Sequence, residues 1–280
     1  MLSQKSLRLF FVSEMLQAFW LGHFISIVFF HAMTMTDFHI SVFHAIMAAS
    51  MFFLDIPTGV FADKYGAKKS LVLANVALSL AFFSYVLSFF TSYWVAIIGS
   101  ALLFSLYDGF HSGASEAYVF RVHKKHGQES SYLPYMSRLH ASASVTTAIA
   151  SVIGGYLYIV HPAIPYTVQG LLMVVAIAVS TKLENVHTPP VHTISLKTQL
   201  RECLRLVKSG NGFVWATFLL ISGTATYEIF NNLINQSYWL ETGISVEKFG
   251  WLGLVVFLMD GILVRQTPTL SKWLGKWIWQ

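Results

Sequence analysis

Six carboxylates stand inside apolar stretches of this chain: Glu14, Asp55, Asp108, Glu116, Glu228 and Asp260. An ionised acid is expensive among apolar groups, so it is kept where it binds a proton, meets a cation or pairs with another polar group. The neighbours of these acids are spaced for helices. Glu14 and Gln17 lie one turn apart, and Asp108, Ser112, Ser115 and Glu116 share roughly one helix face. Glu228, Asn232 and Asn235 recur at i, i+4 and i+7, with Asn231 beside them. Stripes of this kind suit a polar cavity between helices, where Glu14, Gln17, Asp108, Glu228 and Asn232 are the candidates to bind a proton or contact a small cationic solute. The alternative is hydrogen bonding across helices that only holds them together. Asp55 and Glu116 fall near span ends and suit gating with Asp63 and Arg121 better than solute contact.

Other chemistries find no support. The eleven histidines are scattered, His123-Lys124-Lys125-His126 has no acids beside it, and no His-Glu-x-x-His motif occurs. No Gly-x-x-x-x-Gly-Lys-Ser/Thr loop is present to cradle a nucleotide. The single cysteine, Cys203, permits no intrachain disulfide and reads as an unreactive thiol in a basic segment. No nucleophile or metal set appears, so neither an enzyme nor a cofactor is expected.

The elements that must position these residues are membrane helices. Of 280 residues 55% are hydrophobic and 11% charged, with mean hydropathy +0.59. A soluble domain carries about 25% charge, so the fold class is all-α, a polytopic membrane protein. A span needs about 20 apolar residues. Eight are expected, over 7–33, 40–61, 70–90, 93–119, 133–160, 164–181, 213–238 and 249–264. Lys5 and Arg8 precede a stretch too long for a signal peptide, which implies an uncleaved first span.

Lysine and arginine fall almost wholly at one set of connections. Only Lys248 of the 18 is on the other side. The basic pI of about 9.2 therefore reports membrane orientation and not nucleic-acid binding, with both termini expected in the cytoplasm. The segment after span six opens with Glu184, Asn185, Pro189 and Pro190. It continues with Leu196, Leu200, Leu204 and Val207 at helical spacing beside Lys197, Arg201, Arg205 and Lys208. This reads as an amphipathic helix on an anionic lipid surface. The expected organisation is a six-helix unit (1–182), a cytoplasmic linker (183–212) and two spans of a partial second unit (213–280). On span five Ala143, Thr147, Ser151 and Gly155 form a small-residue ridge for close helix packing.

Between spans two and three lies Asp55-Ile56-Pro57-Thr58-Gly59-Val60-Phe61-Ala62-Asp63-Lys64-Tyr65-Gly66-Ala67-Lys68-Lys69. It reads as a short, charged, tight connection. Gly59 would admit a neighbouring helix, Asp63 would cap the span end, Gly66 would take a positive φ, and Lys68 and Lys69 would mark the cytoplasmic side.

Six spans, a long linker and Gly59-x-x-Ala62-Asp63-x-x-Gly66-x-Lys68-Lys69 together resemble the major facilitator superfamily. The lead Asp55-Ile56-Pro57-Thr58-Gly59 and Ser112-Gly113-Ala114-Ser115-Glu116-Ala117 are similar to a bacterial branch of it. The resemblance implies a secondary transporter of a small solute in a bacterial cytoplasmic membrane, working by alternating access. Asp55, Gly59, Asp63, Gly66, Lys68, Lys69, Glu116 and Arg121 would then be gating residues, and a proton-coupled efflux mode is one the resemblance admits. Against drug/proton antiport, span four has no early arginine, and Ser151-Val152-Ile153-Gly154-Gly155 lacks the proline of the antiporter motif. The family usually has twelve spans. Eight spans imply as an alternative a shortened, non-transporting membrane protein, or a subunit whose missing helices come from a second chain.

Overall fold

The computed structural model describes residues 2–91, 94–186 and 235–266, and residues 201, 205, 208, 212, 215, 219 and 269. Backbone in a bilayer must satisfy its own hydrogen bonds, so long apolar stretches become helices. Among the described residues all regular structure is helical. The first span comprises α1 (Leu2–Ala18), a 3-10 turn (His23–Ile25) and α2 (Ser26–Ala32). There follow α3 (Asp37–Tyr65), α4 (Ala67–Thr91), α5 (Trp94–Lys125), α6 (Tyr132–Val160) and α7 (Ile164–Ser180). Beyond the linker come α8 (Gln236–Glu241) and α9 (Val246–Arg265).

Gln4–Ala32, Asp37–Tyr65, Ala67–Thr91 and Glu129–Val160 are long and apolar enough to cross a membrane by length and composition. Helix α5, with 32 residues, is as long, but its polar residues dilute its hydropathy. The chain is a polytopic, multi-pass membrane protein.

Several expected bounds shift. The first span is not one continuous helix. Helix α3 runs four residues past the expected end at Phe61, straight through Pro57. Helix α5 continues six residues past the expected end at residue 119, to Lys125, so Arg121, Lys124 and Lys125 stand on its last turns. Glu247 and Lys248 belong to the first turn of α9 and not to a connection. Glu228, Asn232 and most of the amphipathic linker segment lie outside the described residues, and the seventh span is described only from residue 235.

Packing runs in a chain of neighbours. Helix α5 lies against α3 and α4, α4 against α7, α7 against α1, α1 against α6, and α6 along α9. The interior has two apolar clusters. One holds Phe29, Phe30, Phe82, Tyr85, Phe104 and Tyr166. The other, at the end carrying the basic residues, holds Phe10, Leu71, Tyr118, Val122 and Leu139. Between them lies a polar layer. On α1 it includes Ser13, Glu14 and Gln17. Asn75 on α4 donates to Ser13 Oγ (3.2 Å) and Ser79 to the Gly170 carbonyl (3.1 Å). Without a hydrophobic drive between helices in lipid, such side-chain bonds and close packing hold the bundle.

Candidate functional site

The polar layer is most elaborate where α1 meets α5. Glu14 is ten residues beyond Gln4, or about 15 Å along the helix at 1.5 Å per residue. His111 Nε2 lies 3.0 Å from Glu14 Oε1 and 3.2 Å from Oε2. Both side chains are largely buried, 14% exposed for Glu14 and 19% for His111. Gln17 Nε2 donates to Glu14 Oε1 (3.5 Å), and the Tyr107 hydroxyl donates to Gln17 Oε1 (2.9 Å). The Tyr107 and His111 rings stack with centroids 5.4 Å apart. Helical spacing explains the assembly: Glu14 and Gln17 are one turn apart on α1, Tyr107 and His111 one turn apart on α5. Asp108 is half-buried beside them. It lies within electrostatic reach of His111 and of Asp55 on α3.

Next to this cluster α1 stops. Phe19 to Gly22 leave the helix before the chain resumes at His23. A break within a span strands backbone groups that water does not reach, and these must find partners in the protein. Here side chains from three helices supply them. From α7, Gln169 accepts from the Leu21 N–H (3.4 Å) and donates to the Leu16 carbonyl (3.3 Å). From α6, Thr147 donates to the Ala18 carbonyl (2.7 Å), and farther along Tyr158 donates to the Val28 carbonyl within α2 (3.2 Å). From α8, Gln236 accepts from the Ile27 N–H (3.0 Å) and donates to the His23 carbonyl (3.1 Å). Gly154 on α6 lies directly against the Leu21 carbonyl, where a Cβ has no room. Gly22 is similarly pressed against the Tyr166 ring.

The signature stretch is mostly helix. The connection shrinks to Gly66, with φ +94°, where α3 ends and α4 begins. Only glycine takes this conformation without strain. Asp63, in the last turn of α3, meets Arg121 of α5 at 4.0 Å, with 64% of the Asp63 side chain exposed. Ser70 donates to the Phe110 carbonyl (2.7 Å), fixing the start of α4 to α5. A Cβ at Gly59 would meet nothing among the described residues. The close approach is instead at Gly109, where a Cβ would lie 2.7 Å from Thr58 Oγ1. Lys64 and Lys69 lie over the Tyr65 ring, 5.2 and 5.7 Å from its centroid, and Lys68 is half-buried beside them.

A family model described as Major Facilitator Superfamily matches residues 10–279. The chain belongs to the Major Facilitator Superfamily. A search among curated proteins finds no match. Membership makes it a transporter in general terms and a membrane protein.

In this superfamily member the structure joins Glu14 to Gln17, and Asp63 to Arg121, as residues expected to act together. It sets Asp55 apart from the Asp63–Arg121 pair: the two aspartates are eight residues apart on one helix, about 12 Å, and Asp55 is exposed, within electrostatic reach of Asp108. Glu116 is exposed and forms no ion pair among the described residues. Asp260 accepts from Ser144 of α6 (2.5 Å). The small-residue ridge of α6 serves two neighbours, because Thr147 reaches α1 whereas Ser151 reaches the Gly250 carbonyl of α9 (3.1 Å).

Sequence reasoning missed His111, Tyr107, Gln169, Gln236 and Glu184. A signal existed for His111, one turn from Tyr107 and three residues from Asp108. No local pattern could pair it with Glu14, which is 97 positions away. Glu184, read as linker, accepts a bond from Lys125 and lies 3.6 Å from His126. Lys125 holds its carboxyl below the usual glutamate range.

Proposed function

We propose that this chain is a secondary active transporter that moves a small solute across a bacterial cytoplasmic membrane by alternating access, with both termini in the cytoplasm and a proton as the coupling ion. The observation that carries the reading is the Glu14–His111 pair inside the bundle. With one proton the pair is net neutral, whether written as imidazolium and carboxylate or as imidazole and carboxylic acid. Without that proton it holds one negative charge among apolar helices, which is costly. Gain or loss of the proton therefore changes the force between α1 and α5. Gln17 and Tyr107 fix the carboxylate orientation, and Asp108 adds a second acid that favours a proton nearby. Because His111 already answers the charge of Glu14, proton binding fits Glu14 better than contact with a cationic solute.

Asp63, Gly66 and Arg121 support a gating role at the basic end. Their contact joins α3 to α5, and one exposed ion pair is weak enough to break and reform. Glu228 and Asn232 are proposed as solute contacts from the second half.

The test is solute-driven proton flux. The full chain is reconstituted in liposomes with a trapped pH dye and challenged with a panel of anionic, neutral and cationic solutes. At least one solute is expected to drive flux in the wild type, with Glu14→Gln and His111→Gln abolishing it. Flux unchanged in both variants would overturn the assignment.

A further inference from the structure

Two cavities open side by side at the basic end of the bundle. The larger, about 770 Å³, lies between α1, α6 and α9. The smaller, about 350 Å³, lies between α1 and α6. Phe11 and Arg138 line both, so they form one two-lobed chamber. Arg265 borders the larger lobe and Arg8 the smaller. The deeper walls are apolar, with Met15, Val145, Leu258 and Ile262 among them.

Among the described residues no carboxylate lines either lobe. The nearby acids are engaged elsewhere: Asp260 with Ser144, Glu14 with His111, and Glu184 with Lys125. None of Arg8, Arg138 and Arg265 forms an ion pair with a described residue. Arginines at span ends ordinarily set topology and need share no surface. Here three, from three different helices, converge on one chamber of a size that holds a small organic ligand. Guanidinium groups suit oxyanions because their planar forks match carboxylate and phosphate oxygens. Positive charge at a concave mouth also concentrates anions there.

We infer that this chamber binds an anionic ligand with an apolar body, its carboxylate or phosphate group held by Arg138 with Arg265 or Arg8. The binding stands on the chamber alone; the further step, that such an anion is the transported solute, rests on the proton-coupled reading above. The same chemistry is offered by the headgroup of an anionic lipid and by a soluble organic anion.

The experiment measures binding to the purified full chain. One arm follows phosphatidylglycerol adducts by native mass spectrometry, against phosphatidylcholine. The other titrates naphthyl phosphate and naphthoate, against naphthylamine. The variants are Arg138→Gln, Arg265→Gln and, as a basic residue outside the chamber, Lys64→Gln. Helical content by circular dichroism verifies folding, and exposed Arg265 supplies the second test should Arg138→Gln unfold. The wild type is expected to bind at least one of the anions and neither control. Arg138→Gln should weaken binding at least tenfold, Arg265→Gln several-fold, and Lys64→Gln less than twofold. Binding of the lipid alone assigns a headgroup; binding of the soluble anions assigns a solute. Failure of every anion to bind the wild type, or equal losses in Lys64→Gln and Arg138→Gln, would overturn the inference. Anion binding without any solute-driven proton flux would leave the chamber standing and remove the transport reading.

Discussion

The corner between α3 and α4 and the break in the first span are built in opposite ways. The corner is exposed, turns on one glycine and is held by an ion pair of 4.0 Å whose aspartate is mostly in solvent. The break is buried at Leu21 and Gly22, and stranded backbone groups around it are answered by Gln169, Thr147 and Gln236. Glycines at 22 and 154 let neighbouring side chain and backbone press against it. The corner is the part that sequence recognises most readily, yet little energy holds it. The break carries no motif, yet much of the bundle is fitted around it. A weakly held corner suits a part that moves, and a break bonded by side chains from several helices suits a part that stays.

The difference can be attacked from both sides. The largest effect is expected at Gly154→Ala, whose added methyl would occupy the space of the Leu21 carbonyl. Overpacking against backbone costs about 3 kcal/mol or more, so detergent-solubilised protein should lose folded yield and melt well below wild type. Gln236→Leu comes next. It strips partners from the Ile27 N–H and the His23 carbonyl. At about 1–3 kcal/mol for each of the two unsatisfied groups, a loss of roughly 2–6 kcal/mol is expected in denaturant unfolding. Gln236→Glu should recover part of it by keeping the acceptor. A melt equal to wild type for Gln236→Leu would remove the contrast between the two regions.

Hydropathy made most of this architecture legible. The apolar runs, the segregation of lysine and arginine and the helix-end position of Asp63 all follow from local composition. The break did not show, because Phe19, Trp20 and Leu21 keep the run apolar. A hydropathy pattern records what faces lipid, not whether the backbone stays helical. Long-range partners were equally hidden. Gln236 and Ile27 are 209 positions apart, and nothing near either residue announces the other. The lack of a side chain at Gly59 predicts a close helix approach there; among the described residues the close approach is at Gly109, since Thr58 points toward α5. Proximity in sequence groups Asp55 with Asp63. Helix α3 continues unbroken between them and carries the two to different levels.

Smaller effects are expected at the corner and along its basic face. Asp63→Asn removes one exposed ion pair, and stability should fall by less than about 1 kcal/mol. Gly66→Ala, which forces a methyl into a positive φ, should exceed it. At Glu184 the Lys125 contact lowers the carboxyl below its ordinary value of 4.5. A lowered folded value means that the contact stabilises above the ordinary range and loses this contribution as pH falls through the folded value. The stability difference between wild type and Glu184→Gln should therefore be no more than about 1 kcal/mol near neutral pH, and shrink as the pH falls from the ordinary value through the lowered folded value. A difference that grows on acidification would contradict the assigned contact.

The most direct test of the proton-coupled reading separates proton use from solute passage in one variant. In liposomes loaded with a solute that drives flux, Glu14→Gln should lose accumulation driven by a pH gradient while still exchanging labelled for unlabelled solute at near wild-type rate. Gradient-driven accumulation that persists in Glu14→Gln would contradict the coupling role of the Glu14–His111 pair.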